Sequence, residues 1–494
     1  MGGMHLHIFF LLLVFLLDTV DLQAQSPIEH PNVLFISIDD LRPELGCYGN
    51  PVVKSPNMDK LASQGYLFKN HYVTVPTCGA SRFGLLTGNY PVARVEISND
   101  AIRKQIAENP DVKHPESFIH ALRQNGYYTV GIGKISHYVD GLLYGYTDSV
   151  GNELELPNSW DEMLFDAGQW ETGWNAFFGY ADGSNRQSKD KQVKPYESAD
   201  VDDEGYPDGL TANLALKKLQ ELAQRDQPFF LGVGFFKPHL PFNAPQKYWD
   251  LYDRSEIPLT PSPAIPENIS ESSLHGSGEF NQYQLGEEKA SLDAPVSDAY
   301  ARKLKHAYYA SVSYIDAQVG KLLNELNSLG LEENTIVVIW GDHGWHLGDH
   351  RVWGKHTNFE YAVRSAFMVK SPFHQSGIET DQIVSTVDIY PTLLELCNTP
   401  VTREIDGHSL VPLLANPNEN DHPDVAYSFF RKGITLRTDR YRLTKYFRKE
   451  RPVIELYDYQ NDPYEHKNVA EEKPEVVREL TPLWEKGNTS VFGQ

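Results

Sequence analysis

Cysteine is scarce in this chain: Cys47, Cys78 and Cys397 are its three copies in 494 residues. That excludes a scaffold held together by a disulfide framework. Distance in sequence does not say whether Cys47 and Cys397 meet; both are expected to be buried and free. Positive charge is also short. Lys and Arg number 44 against 67 Asp and Glu, a net charge of −23, which argues against a nucleic-acid backbone as partner. An anionic sugar is not excluded, because a locally basic site can sit inside an acidic protein. Apolar runs of membrane-spanning length are lacking as well. The run Ile8 to Leu17 is too short for a span and sits where a secretory h-region belongs. Only His5 and His7 stand where the n-region would carry Lys or Arg. Residues 1–24 are expected to be removed near Ala24, leaving an exported, periplasmic or secreted protein with no stable membrane span. No Cys follows the run, so a lipid anchor is not expected. Internal repeats and low-complexity tracts are absent too.

What is present is an ordinary globular composition, 40% hydrophobic and 22% charged, in a chain long enough for one large domain and a smaller one. Four apolar, β-rich runs each lead straight into polar residues. Asn32 to Ile38 runs into Asp39-Asp40, and Tyr128 to Ile132 into Gly133-Lys134-Ile-Ser-His137. Pro228 to Phe236 runs into Lys237-Pro238-His239, and Thr335 to Trp340 into Gly341-Asp342-His343-Gly344. Near-continuous apolar strands predict a sheet buried on both faces. Helical patterns alternate with them: Ser55 to Gly65, Ser117 to Asn125 before Gly126, Leu210 to Gln224, and a long helix from Asp298 to Leu329. The long helix carries Leu304, Tyr308, Val312, Ile315, Val319, Leu322 and Leu326 at steps of three or four, and Gly330 closes it. The alternation predicts a layered α/β fold, in which ligands gather beyond the carboxyl ends of the strands. If the four strands run parallel, four polar clusters converge on one crevice.

Two stretches break the rhythm. Residues 140–207 and 254–297 show no clear period and are expected to wall the substrate pocket. From about residue 400 the pattern changes to short strands at 424–430, 433–438, 441–447 and 455–458, followed by a helix at 475–486. The expected organisation is a leader over 1–24, a catalytic domain over 25–400 and a C-terminal α+β subdomain over 401–494.

The chemistry centres on Pro76-Thr-Cys78-Gly-Ala-Ser-Arg82-Phe-Gly-Leu-Leu-Thr-Gly88. A loop residue leads into a helix N-terminus, where free N–H groups and the helix dipole favour an anion. Arg82 adds a permanent charge with a fork suited to tetrahedral oxyanions. By itself a bare Cys-x-x-Ser-Arg reads rather as a small buried Cys beside a capping Ser; the longer string changes that. Asp39 and Asp40 read alone as a solvated turn, and Asp342-His343 has the same ambiguity. Together these carboxylates make a hard-oxygen site suited to Ca²⁺ or Mg²⁺, with His343 either ligating or donating to a neighbouring anion. Arg82, Lys134, His137, Lys237, His239 and Lys355 are each unremarkable alone. Clustered beside a divalent cation, they form a pocket for an anionic ester.

Cys-x-Ala-x-Arg followed by Leu-Thr-Gly resembles the signature of the type I sulfatases, with Ala80 where Pro is commoner. Asn32 to Asp40, Ser55-Pro-Asn-Met-Asp59, Gly131-Ile-Gly-Lys134, Lys237-Pro-His239, Gly341-Asp-His-Gly344 and Glu455 to Pro463 with Asn468 resemble further blocks of that family. Asp40-Leu-Arg-Pro43, Phe236 to Phe242, Asp342 to His350 and Trp353-Gly-Lys355 are most similar to the iduronate-2-sulfatases. The resemblance implies an alkaline-phosphatase/sulfatase-like fold, a large mixed sheet sandwiched by helices with a smaller C-terminal subdomain. It implies that Cys78 is oxidised to Cα-formylglycine by a formylglycine-generating or radical maturase. Asp39, Asp40, Asp342, His343 and residue 78 would hold one Ca²⁺. Arg82 and Lys134 would fix the aldehyde hydrate and the sulfate. The hydrate would attack sulfur to give a covalent sulfo-enzyme, and His137 would assist its collapse. His239 and Lys355 would contact the sulfate, one of them protonating the leaving oxygen. The implied substrate is a sulfated saccharide, a uronate 2-O-sulfate of a glycosaminoglycan or a sugar of an algal polysaccharide such as ulvan. His346 departs from the pattern and is expected near substrate. The alternatives are a phosphonate or phosphodiester hydrolase on the same fold and a catalytically silent carbohydrate-binding relative.

Overall fold

The computed structural model describes Gly2 and residues 30–374, 377–418 and 421–493. Apart from Gly2, the expected leader lies outside the described residues. In the strand Asn32–Ile38 every residue is buried. Val33 and Phe35 join one apolar layer, while Leu34, Ile36 and Ile38 join another. A strand sends alternate side chains to opposite faces, so burial of both sets requires cover on both sides. One face is covered by helices Pro56–Ser63, Pro207–Leu222 and Asp298–Ser328, through residues such as Leu61, Leu219 and Val312. The other is covered by Cys78–Thr87, Phe118–Gln124 and Ile389–Leu396, through Leu85, Leu122 and Leu393.

The sheet has nine strands among the described residues. Its order is Arg364–Ser365, Tyr66–Tyr72, Phe367–Lys370, Thr335–Gly341, Asn32–Ile38, Phe229–Phe235, Tyr128–Gly133 and Glu162–Leu164, with Ile378–Ser385 pairing beside Tyr66–Tyr72. The four strands read from the sequence are neighbours and run parallel. Ile38 aligns with both Phe235 and Gly341, and Gly133 aligns with Gly234. Their carboxyl ends therefore form one continuous rim. Phe367–Lys370 runs antiparallel to both of its neighbours, which makes the sheet mixed. Sequence periodicity did not reveal the strands around Tyr66–Tyr72, because its Lys69 and Asn70 interrupt the apolar run.

The 31-residue helix Asp298–Ser328 starts where Ser297 accepts the amide of Tyr300 and closes at Gly330, whose φ is 70°. Strands Ala426–Phe430, Gly433–Arg437, Tyr441–Tyr446 and Val453–Asp458 form a second, antiparallel sheet. Helix Pro474–Lys486 covers it through Trp484. This small sheet bears directly on the Cys78 segment. Val75 and Ala80 share its apolar cluster, and the Phe429 amide donates to Thr74 O at 2.8 Å. Cys397 is buried, but Cys47 is only partly buried, correcting the expectation for that residue; both are free thiols. They belong to apolar layers on opposite faces of the sheet. No helix among the described residues is long and apolar enough to cross a membrane.

Candidate active site

Two adjacent carboxylates serve one site only if the strand stops before them. It does: the strand ends at Ile38, and Asp40 takes a left-handed conformation, φ 60°, which Asp tolerates better than most residues. The Asp40 amide donates to Asp342 Oδ1 at 3.0 Å, and Tyr308 Oη donates to Asp40 O at 2.7 Å. Both aspartates are fully buried.

Cys78 opens the helix that ends at Thr87. A methyl at Gly79 would lie 2.4 Å from Asn99 O, so only glycine lets the helix start this close to the wall. The Cys78 thiol faces Asp39 Oδ1 at 3.5 Å, His343 Nε2 at 3.3 Å and Lys355 Nζ at 3.4 Å. Burial pushes the thiol up to about 12, so the unmodified side chain is protonated and a weak nucleophile near neutral pH.

Four of the five expected metal ligands form a cluster. One donor atom each from Asp39, Asp40, Cys78 and His343 lies within 4.8 Å of the others. Asp342 is beside this group rather than in it: its Oδ1 accepts the Asp40 amide, and its Oδ2 accepts Arg82 Nε at 3.1 Å. Burial raises Asp39, but Lys134, His239, Arg82 and Lys355 together hold its carboxyl well below the usual range. At Asp40 burial prevails over Lys355 and His343, and the carboxyl is pushed well above that range. Asp40 Oδ2 is buried without a hydrogen-bond partner. A hard divalent cation fits this donor set, because it would occupy the orphaned oxygen and offset the cost of two adjacent buried charges.

The cationic side chains converge as well. Arg82, wholly buried, also donates to Ser37 Oγ at 2.9 Å and Ile135 O at 3.1 Å. Lys134 pairs with Asp39, its ammonium 4.2 Å from the centre of the Phe177 ring. Gly133 precedes it at φ 71°, and a methyl there would lie 2.4 Å from Gly234 O. Lys355 donates to Asp40 Oδ1 at 3.0 Å. His239 Nδ1 lies 2.7 Å from Leu240 O, which can only accept, so Nδ1 carries a proton. Burial, then Lys355, moves His239 down to about 4. His137 is lowered by burial and by Lys134, and its Nδ1 has no partner. Lys237 stands apart from the cavity wall and donates to His239 O at 3.0 Å.

Of these groups Cys78, Lys134, His137, His239 and Lys355 line a cavity of about 520 Å³. Both aperiodic stretches line it: Tyr146, Trp174, Phe178 and Arg186 from one, His275 and Glu279 from the other. The small sheet adds Phe430, followed by Arg431. Sequence reasoning missed Glu279, whose Oε1 is 3.0 Å from His239 Nε2 and 3.5 Å from Lys355 Nζ. No motif or period surrounds it, so nothing local marked it. His346 corrects the expectation of substrate contact. It is fully buried, Nδ1 3.0 Å from Asp349 O and Nε2 2.8 Å from Thr357 Oγ1, and does not line the cavity.

Comparison with known proteins bears on this arrangement. The sulfatase family model matches residues 31–399, and the model for the C-terminal part of N-sulphoglucosamine sulphohydrolase matches residues 348–486. Iduronate 2-sulfatase of Mus musculus is 31% identical over 425 residues, covering 77% of this chain and 71% of its own. The solved structure of BT4656 in complex with its substrate D-glucosamine-2-N,6-O-disulfate superposes with a TM-score of 0.68 at 20% identity, covering 94% of this chain and 98% of that one. Phosphonate monoester hydrolase of Agrobacterium radiobacter superposes at 0.72 with 23% identity, covering 92% and 96%; at these identities the two structures establish the fold. The match over residues 31–399 and the identity to a named sulfatase establish that this chain belongs to the sulfatase family and is a sulfuric ester hydrolase.

Proposed function

We propose that this chain is an exported, calcium-dependent sulfatase that removes sulfate from a sulfated carbohydrate. The observation that carries the reading is the meeting of Asp39, Asp40 and His343 with the thiol of Cys78, which itself lines an aromatic, cation-lined cavity. The names of its relatives support the substrate class: one acts on iduronate 2-sulfate, another is an ulvan-active sulfatase of Formosa agariphila, and BT4656 binds a disulfated glucosamine. The catalytic machinery is assigned to residues 25–400 and the small sheet to a C-terminal subdomain over 401–494.

When converted to Cα-formylglycine, residue 78 supplies a hydroxyl of the aldehyde hydrate as nucleophile. Asp39, Asp40 and His343, with Asp342 beside them, would hold a Ca²⁺ that polarises the ester oxygens. Lys134 and Arg82 fix residue 78 and its ester group from the strand-end side. Lys355 lies against the Cys78 sulfur and, with His239, flanks the position of the departing sugar oxygen, to which one of them gives a proton. His137 lines the same cavity, its Nδ1 buried without a hydrogen-bond partner, and is assigned the proton transfer that resets the aldehyde. Trp174, Phe177 and Phe178 keep water from the floor.

The test is sulfate release from defined sulfated oligosaccharides by maturase-coexpressed protein, beside aryl sulfate and aryl phosphodiester. Peptide mass analysis should find the aldehyde at position 78, and Cys78→Ala should abolish turnover while sugar binding persists. Full activity with an unmodified thiol would defeat the reading. Faster phosphodiester or phosphonate hydrolysis would favour the phosphonate hydrolase alternative, and binding without turnover a silent carbohydrate-binding relative.

A further inference from the structure

Five arginines are buried among the described residues: Arg42, Arg82, Arg186, Arg437 and Arg442. Four have a carboxylate partner: Arg42 has Asp349 and Glu44, Arg82 has Asp342, Arg437 has Glu360, and Arg442 has Glu465. Arg186 has no such partner among the described residues, although it is only 5% exposed and its Nε is buried without a hydrogen bond. Desolvating a cation without a counter-charge is expensive. Stacking over Phe178, 3.6 Å from guanidinium carbon to ring centre, and a longer contact of 5.6 Å to Tyr283 offset part of that cost. Neither ring carries a formal charge, so the guanidinium remains uncompensated.

Its position gives the missing charge a source. Arg186 lines the same cavity as Cys78. The Phe178 ring that carries it lies 6.5 Å from the His239 ring and 5.6 Å from the Tyr146 ring. Arg186 therefore stands on the aromatic wall of the cavity, stacked on Phe178 and next to Tyr146. Tyr146 and Trp174, packed edge-on at 4.6 Å, line the same cavity and suit the apolar face of a sugar ring. The floor's own cations are already committed, Lys134 to Asp39 and Lys355 to Asp40 and Glu279.

We propose that Arg186 is a specificity-determining residue that recognises a second oxyanion on the substrate, distinct from the sulfate ester being cleaved. The inference rests on the sulfatase reading and narrows it to saccharides carrying two anionic groups. The guanidinium fork binds a carboxylate or a second sulfate by the same bidentate geometry, so the chemistry is shared and the source is settled by substrate.

The experiment compares matched substrates with matured enzyme. One pair is a sulfated uronate glycoside and its methyl ester; the other is a disulfated and a monosulfated glucosamine. One pair should show at least a tenfold preference for the dianionic member in kcat/KM, carried mainly by KM, as a charge-assisted contact of about 10- to 100-fold requires. Which pair shows it identifies carboxylate or sulfate. Arg186→Gln should reduce that ratio to about one, and Arg186→Lys should recover part of it. A collapsed wall would lower both members together and leave the ratio unmoved, which would overturn the assignment. So would wild-type enzyme that prefers the dianionic member in neither pair. If no sulfate ester turns over, the sulfatase reading itself fails. Calorimetric dissociation constants for the same pairs, in a Cys78→Ala background with and without Arg186→Gln, then decide the role of Arg186 separately.

Discussion

Arg82 and Asp342 are both wholly buried, with Arg82 Nη2 3.0 Å from Asp342 Oδ2. Arg82→Met strands the carboxylate: Asp342 keeps the Asp40 amide at 3.0 Å but loses its counter-charge, and Ser37 Oγ and Ile135 O lose a donor. Removing one partner of a buried pair costs about 3–5 kcal/mol. Asp342→Asn strands the guanidinium instead, but three oxygens, those of Ser37, Lys134 and Ile135, still accept from it. Its cost should be smaller, about 1.5–3 kcal/mol. The double variant carries neither charge, so the two single costs should exceed the double cost by about 2–3 kcal/mol. The assay is urea unfolding of chelator-treated protein followed by tryptophan fluorescence; the Trp340 ring centre lies 5.7 Å from the guanidinium carbon. Arg82→Met should lose sulfate release, and Asp342→Asn in the same chain should not restore it. Single costs that add to the double within about 0.5 kcal/mol would refute the coupling, and an active Arg82→Met enzyme would remove Arg82 from the site.

Three further outcomes follow from the geometry. Chelation should abolish sulfate release and lower the melting temperature, and Ca²⁺ should restore both; Asp40→Asn, which neutralises the group bearing the orphaned oxygen, should require far more Ca²⁺ in a thermal-shift titration. Glu155 holds the Lys134–His137 loop by accepting the Tyr138 amide at 2.8 Å, and burial pushes it from 4.5 up to about 7. Its folded value lies above its unfolded one, so its stabilisation is complete below pH 4.5 and is lost as pH rises to about 7. Relative to Glu155→Gln, the wild type should lose on the order of 3 kcal/mol across that window, read from unfolding midpoints at pH 4.5, 6 and 8. His346→Ala should cost about 1–2 kcal/mol of stability by removing one hydrogen bond each from Thr357 Oγ1 and Asp349 O, which keep the amides of Phe359 and Val352, while KM for a sulfated substrate stays unchanged.

The half of the site that the sequence made legible is the half built by strands. Asn32–Ile38, Tyr128–Gly133, Phe229–Phe235 and Thr335–Gly341 are predominantly apolar because both faces are covered, and each ends abruptly in polar residues. Parallel pairing then turns four distant sequence positions into one rim. Glu279 and Arg186 could not be found that way. They sit in stretches without a repeating apolar face, and their place depends on contacts between side chains far apart in the chain, such as His239 with Glu279 and Phe178 with Arg186. His346 misled for a related reason. Its two-residue strand, His346–Leu347, pairs with Trp353–Gly354 and turns the imidazole into the protein, a local reversal that adjacency to Asp342-His343 does not encode.

The same contrast explains how so acidic a protein can receive an acidic substrate. The net charge of −23 is a property of the whole chain, whereas binding is decided by groups removed from water, where fields are screened least. At the cavity floor Lys134 and Lys355 are fixed by Asp39, Asp40 and Glu279, so those ammonium groups are held in place rather than free to follow solvent. Fixing them costs desolvation at folding and spares reorganisation when an ester arrives, which is where preorganised charge lowers a barrier. A cation bound by Asp39 and Asp40 would release part of the hold those carboxylates have on the two lysines, turning their charge toward the ester. Calcium binding and anion binding at this floor should therefore be cooperative. In Cys78→Ala protein, Ca²⁺ should tighten the affinity for a sulfated saccharide, and the saccharide should tighten Ca²⁺ by the same factor. Equal saccharide affinity with and without Ca²⁺ would break this coupling.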